Sequence, residues 1–414
     1  MSAISAHAGG GRASLDFEQA LERVLVLAGS VLEAERVAAE ACPGRVLASP
    51  ICARLDLPGF DQSAMDGYAV RTAELVPGRS MAITGRTAAG DPRGSLVPGG
   101  VHRILTGAPL PQGADAVIAQ ERAQRVGQEV VFAIAPPAGT NLRRRGEDVR
   151  AGQRLMSPGT LLDWRHAAML AAQGIDEASV RRRPRVALLS GGHELRGTDE
   201  SLAESQIHDS NLPMLAALLG AWGAAPRRLP RVEDRVEALR EALREAAADA
   251  DLVVTTAGLS VGEEDHVRRA LEDLGGSLEV LTVAMKPGKP LAVGRLGTSL
   301  FVGLPGNPQA ALAGAVAFLR PLLARLTGAA MPVPLRARSS FTLVRKAGRT
   351  EFVAVRLVQR GAELWAERAG PEGSGRLAPL LGAGGLARLE APVAALRAGE
   401  MLDVLPFQPI PVAP

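Results

Sequence analysis

The chain has 414 residues, 47% of them hydrophobic but only 3% aromatic, a length for two to four domains whose cores rest on alanine, valine and leucine. Its formal charge is only +3, and its arginine runs, 143–145 and 181–183, carry no interleaved aromatics. A nucleic-acid surface is therefore not expected, and those runs read as solvated or domain-joining segments.

The first residues lack the apolar core of a leader, and no stretch is read as an uninterrupted membrane span, so a cytoplasmic setting away from membranes is expected. From Leu15 to about Ala48, apolar residues at three and four spacing predict helices. Cys42 and Cys52 have no CxxC and no histidine at ligand spacing, which supports neither zinc nor a disulfide framework; both read as buried thiols. Between about Ile51 and Thr140, short runs such as "SMAIT", "DAVIA" and "EVVFAIA" between turn dipeptides predict a small β domain. A helix returns near residues 163–174, so the β module reads as an insertion in a helical arm.

From Pro184 to about Gly328 the runs "RVALLS", "DLVVTTAG", "SLEVLTVAM" and "SLFVGLPG" alternate with helical stretches such as 232–249, the pattern of a doubly wound α/β domain. After Met331, "SSFTLVR", "FVAVRLV", "ELWAER" and "MLDVLPF" predict a further β domain; no internal repeat is seen. The expected organisation is α/β multidomain: a helical arm from 14–50 and 141–182, an inserted β domain at 51–140, the α/β domain at 183–330 and a C-terminal β domain at 331–414.

Ligands of an open α/β sheet bind beyond the carboxyl ends of its strands. There lie "SGGHEL" (190–195), "TTAGLSVGEEDH" (255–266), "MKPGKP" (285–290) and "GLPGNP" (303–308). Gly191, Gly192, Gly258, Gly262 and Gly306 allow close backbone approach. Asn307 before Pro308 makes a helix start whose amides face the crevice, although any helix could begin so.

Lys286 and Lys289 stand out because the chain's 47 basic residues include only one other lysine, Lys346. A lysine ammonium is a compact, rotatable point charge suited to an oxyanion in a narrow pocket; the bland alternative is a solvated turn. Glu194, Asp209, Glu263, Glu264 and Asp265 lie in or near the same loops, so lysines and carboxylates together suit a phosphorylated substrate with a divalent ion. Glu263 and Glu264 also read as first-turn helix acids.

"DQSAMDGYAV" (61–70), which holds the only tyrosine, Tyr68, "LTGAPLPQGADAVI" (105–118), "NLRRRGEDV" (141–149), "LSVGEEDH", "MKPGKP" and "GLPGNP" occur in this order. In them the chain resembles the MoeA family of molybdopterin molybdenumtransferases, related to the E domain of gephyrin, from about residue 14 to the end. The resemblance implies a homodimer with a β-barrel as its C-terminal domain and a cleft shared between subunits. It implies a reaction in which adenylylated molybdopterin and molybdate, with magnesium, yield molybdenum on the dithiolene sulfurs and AMP. Asp66, Asp148, Glu194, Asp265, Lys286 and Lys289 are then the catalytic candidates, with Asp66, Asp265 and Glu194 as metal ligands. Thr106, Ser190, Gly191, Gly192, Asp209, Ser260, Gly262, Pro305, Gly306, Asn307 and Pro308 are expected to bind the pterin substrate; for Thr106 a plain β-turn hydroxyl is the alternative. Molybdopterin adenylyltransferase and recipient molybdoenzymes are the implied partners.

Two cleft loops depart from the family's usual text. Ser190-Gly191-Gly192-His193-Glu194-Leu195 replaces Ser-Thr-Gly-Asp-Glu-Leu, and Ala257-Gly258-Leu259-Ser260 replaces Gly-Gly-Val-Ser. His208 stands where the family often has tyrosine. Those losses favour an alternative, a catalytically weak carrier of finished cofactor. Adenylyl transfer fits less well, because the related adenylyltransferase is essentially the α/β domain alone.

Overall fold

The computed structural model describes residues 14–233, 235–256 and 266–408. They pack as two compact units, Pro50–Ser157 with Ala168–Asp176, and the other described residues.

In the first unit six strands form one sheet in the order Ala116–Ala119, Gly67–Val70, Val101–Ile104, Ser80–Thr87, Glu129–Phe132 and Ala123–Val126. Alternating apolar residues give its core, where Tyr68 lies edge-on to Phe132 with centroids 5.8 Å apart. Tyr68 is thus a core residue.

This unit reaches past the boundary at 140 that the sequence suggested. Leu142–Arg143 pairs with Gln62–Ser63, and Arg154–Met156 pairs with Ile51–Cys52. Asp61 accepts from Arg144 Nη1 at 2.8 Å and the Arg145 amide at 2.9 Å, while Arg145 Nε reaches Asp56 at 2.6 Å. The 143–145 run is therefore partly tied down by carboxylates. Cys42 is buried as expected, but Cys52 is exposed on its short strand.

The second unit holds a six-stranded sheet ordered Ala225–Arg228, Arg185–Ser190, Leu252–Thr256, Ser299–Leu304, Pro290–Leu296 and Ser277–Thr282. The first four strands are parallel. Pro290–Leu296 is antiparallel to both Ser299–Leu304 and Ser277–Thr282, so Ser277–Thr282 runs with the parallel set. The ends at Ser190, Thr256, Thr282 and Leu304 consequently share one sheet edge.

The helical run Pro308–Thr327 packs beneath this sheet, its Leu312, Phe318 and Leu322 in the core with Val254 and Val302. By length and composition alone it is apolar enough to cross a membrane, yet 78% of its apolar window is buried inside the protein. Core packing accounts for its apolarity.

Thr350–Arg360, Glu363–Arg368, Leu335–Ser339, Met401–Pro406 and Gly385–Leu389 pair in succession, and the last returns to the first, closing a five-stranded barrel. Met285–Lys286 adds to this sheet beside Thr350–Glu351.

Of the expected N-terminal helices only Phe17–Val26 forms, capped by Asp16. Phe17 packs 5.5 Å from both Phe318 and Phe352, joining α/β domain and barrel. The second helical reading is corrected: Ala34–Ala38 is a strand antiparallel to Glu177–Arg181. In the 181–183 run, Arg182 makes two bonds to Asp251, at 2.6 and 2.8 Å, and one to Glu33.

Candidate functional site

The loops beyond the sheet edge are bound to one another. Ser190 Oγ donates to Asp209 Oδ2 at 2.6 Å, and Asp209 Oδ1 accepts the amides of Asn211 and Leu212 at 2.9 and 3.1 Å. Asp209, one residue before the N-cap Ser210, therefore satisfies two first-turn amides of the Asn211–Ala221 helix and fixes Ser190. Asn211 Nδ2 donates to the Gly306 carbonyl at 2.6 Å, and its buried Oδ1 has no partner. Sequence reasoning gave Asn211 no role; its only signal was its place directly after Asp209-Ser210.

Gly191 and Gly192 follow the strand end, with Gly192 at φ +147° and Glu194 exposed two residues on. His193 is exposed beside it. Ser260, Gly262 and Asp265 lie outside the described residues.

A cleft of about 680 Å³ opens beside the "MKPGKP" and "GLPGNP" loops, lined by Lys286, Lys289, Pro305, Asn307, Arg368 and Glu372, among others. Its size suits a small-molecule ligand. Gly288, at φ +94°, forms the turn between the lysines; a Cβ there would lie 3.3 Å from the Ala310 carbonyl and 3.4 Å from Pro305. Only glycine meets both demands without strain.

The lysines differ. Lys286 Nζ donates to Glu351 Oε1 at 2.8 Å and Glu372 Oε2 at 3.2 Å. The bond to Glu351 is the chief reason its ammonium titrates above the usual lysine range. Lys289 is exposed and meets no carboxylate among the described residues. Gly306 and Asn307 likewise donate their amides to no described acceptor. Asn307 is the N-cap with Pro308 at the first helical position, though its side chain makes no capping bond. The next free amide, Gln309 N, is taken by the Ser374 carbonyl at 2.9 Å.

Asp66, Thr106 and Asp148 belong to the other unit. The Thr106 amide and hydroxyl both donate to Asp66 Oδ1, at 2.8 and 2.7 Å. These two bonds, the amide's first, hold the Asp66 carboxyl below the usual carboxylate range. Both Thr106 donors are thus taken by Asp66. Asp148 is exposed, its amide bonded to the Leu57 carbonyl at 3.0 Å.

Among the described residues no group of three or more His, Cys, Asp or Glu is placed to hold a metal ion. Asp66 and Glu194 fall in different units, and Asp265 is outside the described residues. One described unit therefore does not assemble the expected magnesium ligands.

Three family profiles match in chain order: the MoeA N-terminal region (domain I and II) over residues 15–174, a probable molybdopterin binding domain over 187–325, and the MoeA C-terminal region (domain IV) over 336–407. The molybdopterin molybdenumtransferase of Nostoc sp. is 36% identical over 382 residues, 89% of this chain and 87% of that protein. The chain belongs to the MoeA family. Molybdopterin molybdenumtransferase from Haemophilus influenzae is 32% identical over 95% of this chain and 98% of its own length. Molybdopterin molybdenumtransferase 2 of Mycobacterium tuberculosis is 35% identical over 91% and 98%. Among solved structures, the molybdopterin biosynthesis MoeA protein of Pyrococcus horikoshii OT3 superposes with a TM-score of 0.81 at 26% identity, covering 95% of this chain and 99% of that one. The MoeA fold seen there, with its C-terminal β domain, is the architecture of this chain.

Proposed function

We propose that this chain inserts molybdenum into adenylylated molybdopterin and releases AMP, the last common step of molybdenum cofactor biosynthesis. The observation that carries the reading is the Lys289 ammonium with the Gly306 and Asn307 amides, none of which meets a partner among the described residues, in a chain aligned almost end to end with proteins named for this transfer. The pyrophosphate link and molybdate are both oxyanions. Donors fixed in advance around them meet the charge that builds as the phosphorus–oxygen bond breaks, with little reorganisation.

Asp66, kept ionised by Thr106, and the exposed Asp148 are the carboxylates that position water or cation at the bond being cleaved. Asp66 and Glu194 are carboxylates that would hold a magnesium ion, which would supply charge neutralisation at the pyrophosphate oxygens. The working form is a homodimer in which Asp66 and Asp148 of one chain complete the cleft of the other. A molybdopterin adenylyltransferase supplies the substrate, recipient molybdoenzymes take the product, and the reaction runs in the cytoplasm.

A carrier of finished cofactor is not favoured, because the relatives that align along nearly the whole chain are named as transferases. Elemental analysis of pterin recovered after incubation with molybdate tests the reading. Molybdenum on the pterin in step with AMP release supports transfer; pterin held tightly but free of molybdenum would falsify it.

A further inference from the structure

A polar pair is buried inside the inserted sheet. Thr87 Oγ1 and His102 Nε2 lie 2.7 Å apart, with Thr87 2% and His102 5% exposed. The imidazole sits in a recess made by two glycines from separate segments: a Cβ on Gly85 would lie 2.5 Å from His102 Cε1, and one on Gly94 3.0 Å from the same atom. Burial is the chief reason the ring titrates below the usual histidine range, and the nearby Arg86 backbone opposes it only in part. The other ring nitrogen, Nδ1, is buried without a well-formed hydrogen bond. A polar atom left in that state is a cost that an aliphatic side chain of similar bulk would avoid, so stability alone does not account for a histidine here.

One chain of bonds runs from this pair to Asp66. Val101–Ile104 lies between Gly67–Val70 and Ser80–Thr87, and its Ile104 pairs with Gly67 on one side and Thr87 on the other. Asp66 leads into the first neighbour, Thr106 follows the central strand, and Thr87 ends the second neighbour. The Thr87 carbonyl accepts the Leu105 amide at 3.1 Å. The next residue, Thr106, gives both its amide and its hydroxyl to Asp66, at 2.8 and 2.7 Å. His102 therefore holds Thr87, Thr87 holds Leu105, and Leu105 sets how Thr106 meets the carboxylate. Supporting bonds of this kind keep a reacting group oriented without touching the substrate.

We propose that His102 and Thr87 are positioning residues for Asp66 and Thr106, their hydrogen bond fixing the strand ends from which Asp66 acts. The inference rests on the reading of Asp66 as a carboxylate of the transfer reaction. His102 touches neither substrate nor cation; it holds the end of the Ser80–Thr87 strand, whose last carbonyl aims the Leu105 amide and so the two Thr106 donors. Asp66 then meets the bond being cleaved already oriented, and the benefit falls on kcat rather than on substrate affinity.

The test sets unfolding, hydrogen exchange and kinetics side by side on the full chain. His102→Leu combined with Thr87→Val replaces both partners by apolar groups of similar size and leaves neither orphaned, so the unfolding midpoint should equal or exceed that of the unaltered protein. The Leu105 and Thr106 amides should nevertheless exchange with solvent about tenfold faster. For AMP release from adenylylated molybdopterin, kcat should fall about tenfold while KM stays within about twofold. Thr87→Ser, which keeps the hydroxyl, should retain most of the rate. A double variant that unfolds earlier makes the pair a structural one and overturns the proposal, as does one that keeps the full kcat or leaves both amides unchanged. Those outcomes leave the transferase reading standing, because the unaltered protein is active in them. If the unaltered protein releases no AMP, that reading falls and the positioning role falls with it.

Discussion

Lys286 and Lys289 were conspicuous together in an arginine-rich chain, yet the structure separates their roles. Lys286 anchors the loop to the barrel through Glu351, whereas Lys289 is exposed and meets no carboxylate among the described residues. Lys286→Ala should therefore lower the unfolding temperature by leaving the buried Glu351 carboxylate with only Arg345, 3.9 Å away, and Lys289→Ala should leave stability within about 0.5 kcal/mol. Lys289→Ala should instead slow AMP release by about 100-fold, as loss of one preorganised donor does. Thermal unfolding and single-turnover kinetics on the two variants check the split; equal loss of stability would contradict it. Thr106→Val removes one of the two bonds that depress the Asp66 carboxyl. The carboxyl then rises toward its ordinary value and protonates at higher pH, so the acid limb of the rate profile should move upward. An unmoved limb would show that Asp66 ionisation does not limit the reaction.

At the level of elements, Phe17 ties the N-terminal helix to both the Pro308–Thr327 run and the barrel. Phe17→Ala should cost about 3–5 kcal/mol in denaturant unfolding, the usual range for an aromatic removed from a core. A loss below about 1 kcal/mol would mean that the helix is only loosely docked. The apolar strand runs and the Pro308 helix start were legible, because local pattern and tertiary burial agree there. Residues 32–48 were misread: Ala34–Ala38 has helical spacing, but its pairing with Glu177–Arg181, more than a hundred residues on, overrides local preference. The same non-local pairing draws 141–157 into the inserted sheet unit. Lysines and glycines of the cleft could be singled out by rarity and turn chemistry. Arg368 and Glu372 could not, since they meet Lys286 only when the barrel closes and they belong to no spacing that a sequence displays.

For the whole molecule, the proposed shared cleft has a consequence that one chain cannot imitate. Asp66→Ala and Lys289→Ala should each be inactive alone. After mixing and exchange of subunits, half the dimers carry one intact cleft, and about a quarter of wild-type activity should return. No recovery, with subunit exchange shown independently, would place Asp66 and Lys289 of the same chain in one site or remove Asp66 from it. The most direct test of the account is AMP release from adenylylated molybdopterin as molybdate is titrated, with magnesium present and Lys289→Ala alongside. Release that saturates with molybdate and is lost in the variant is the predicted result; release independent of molybdate, or none from a protein that binds the pterin tightly, would contradict it.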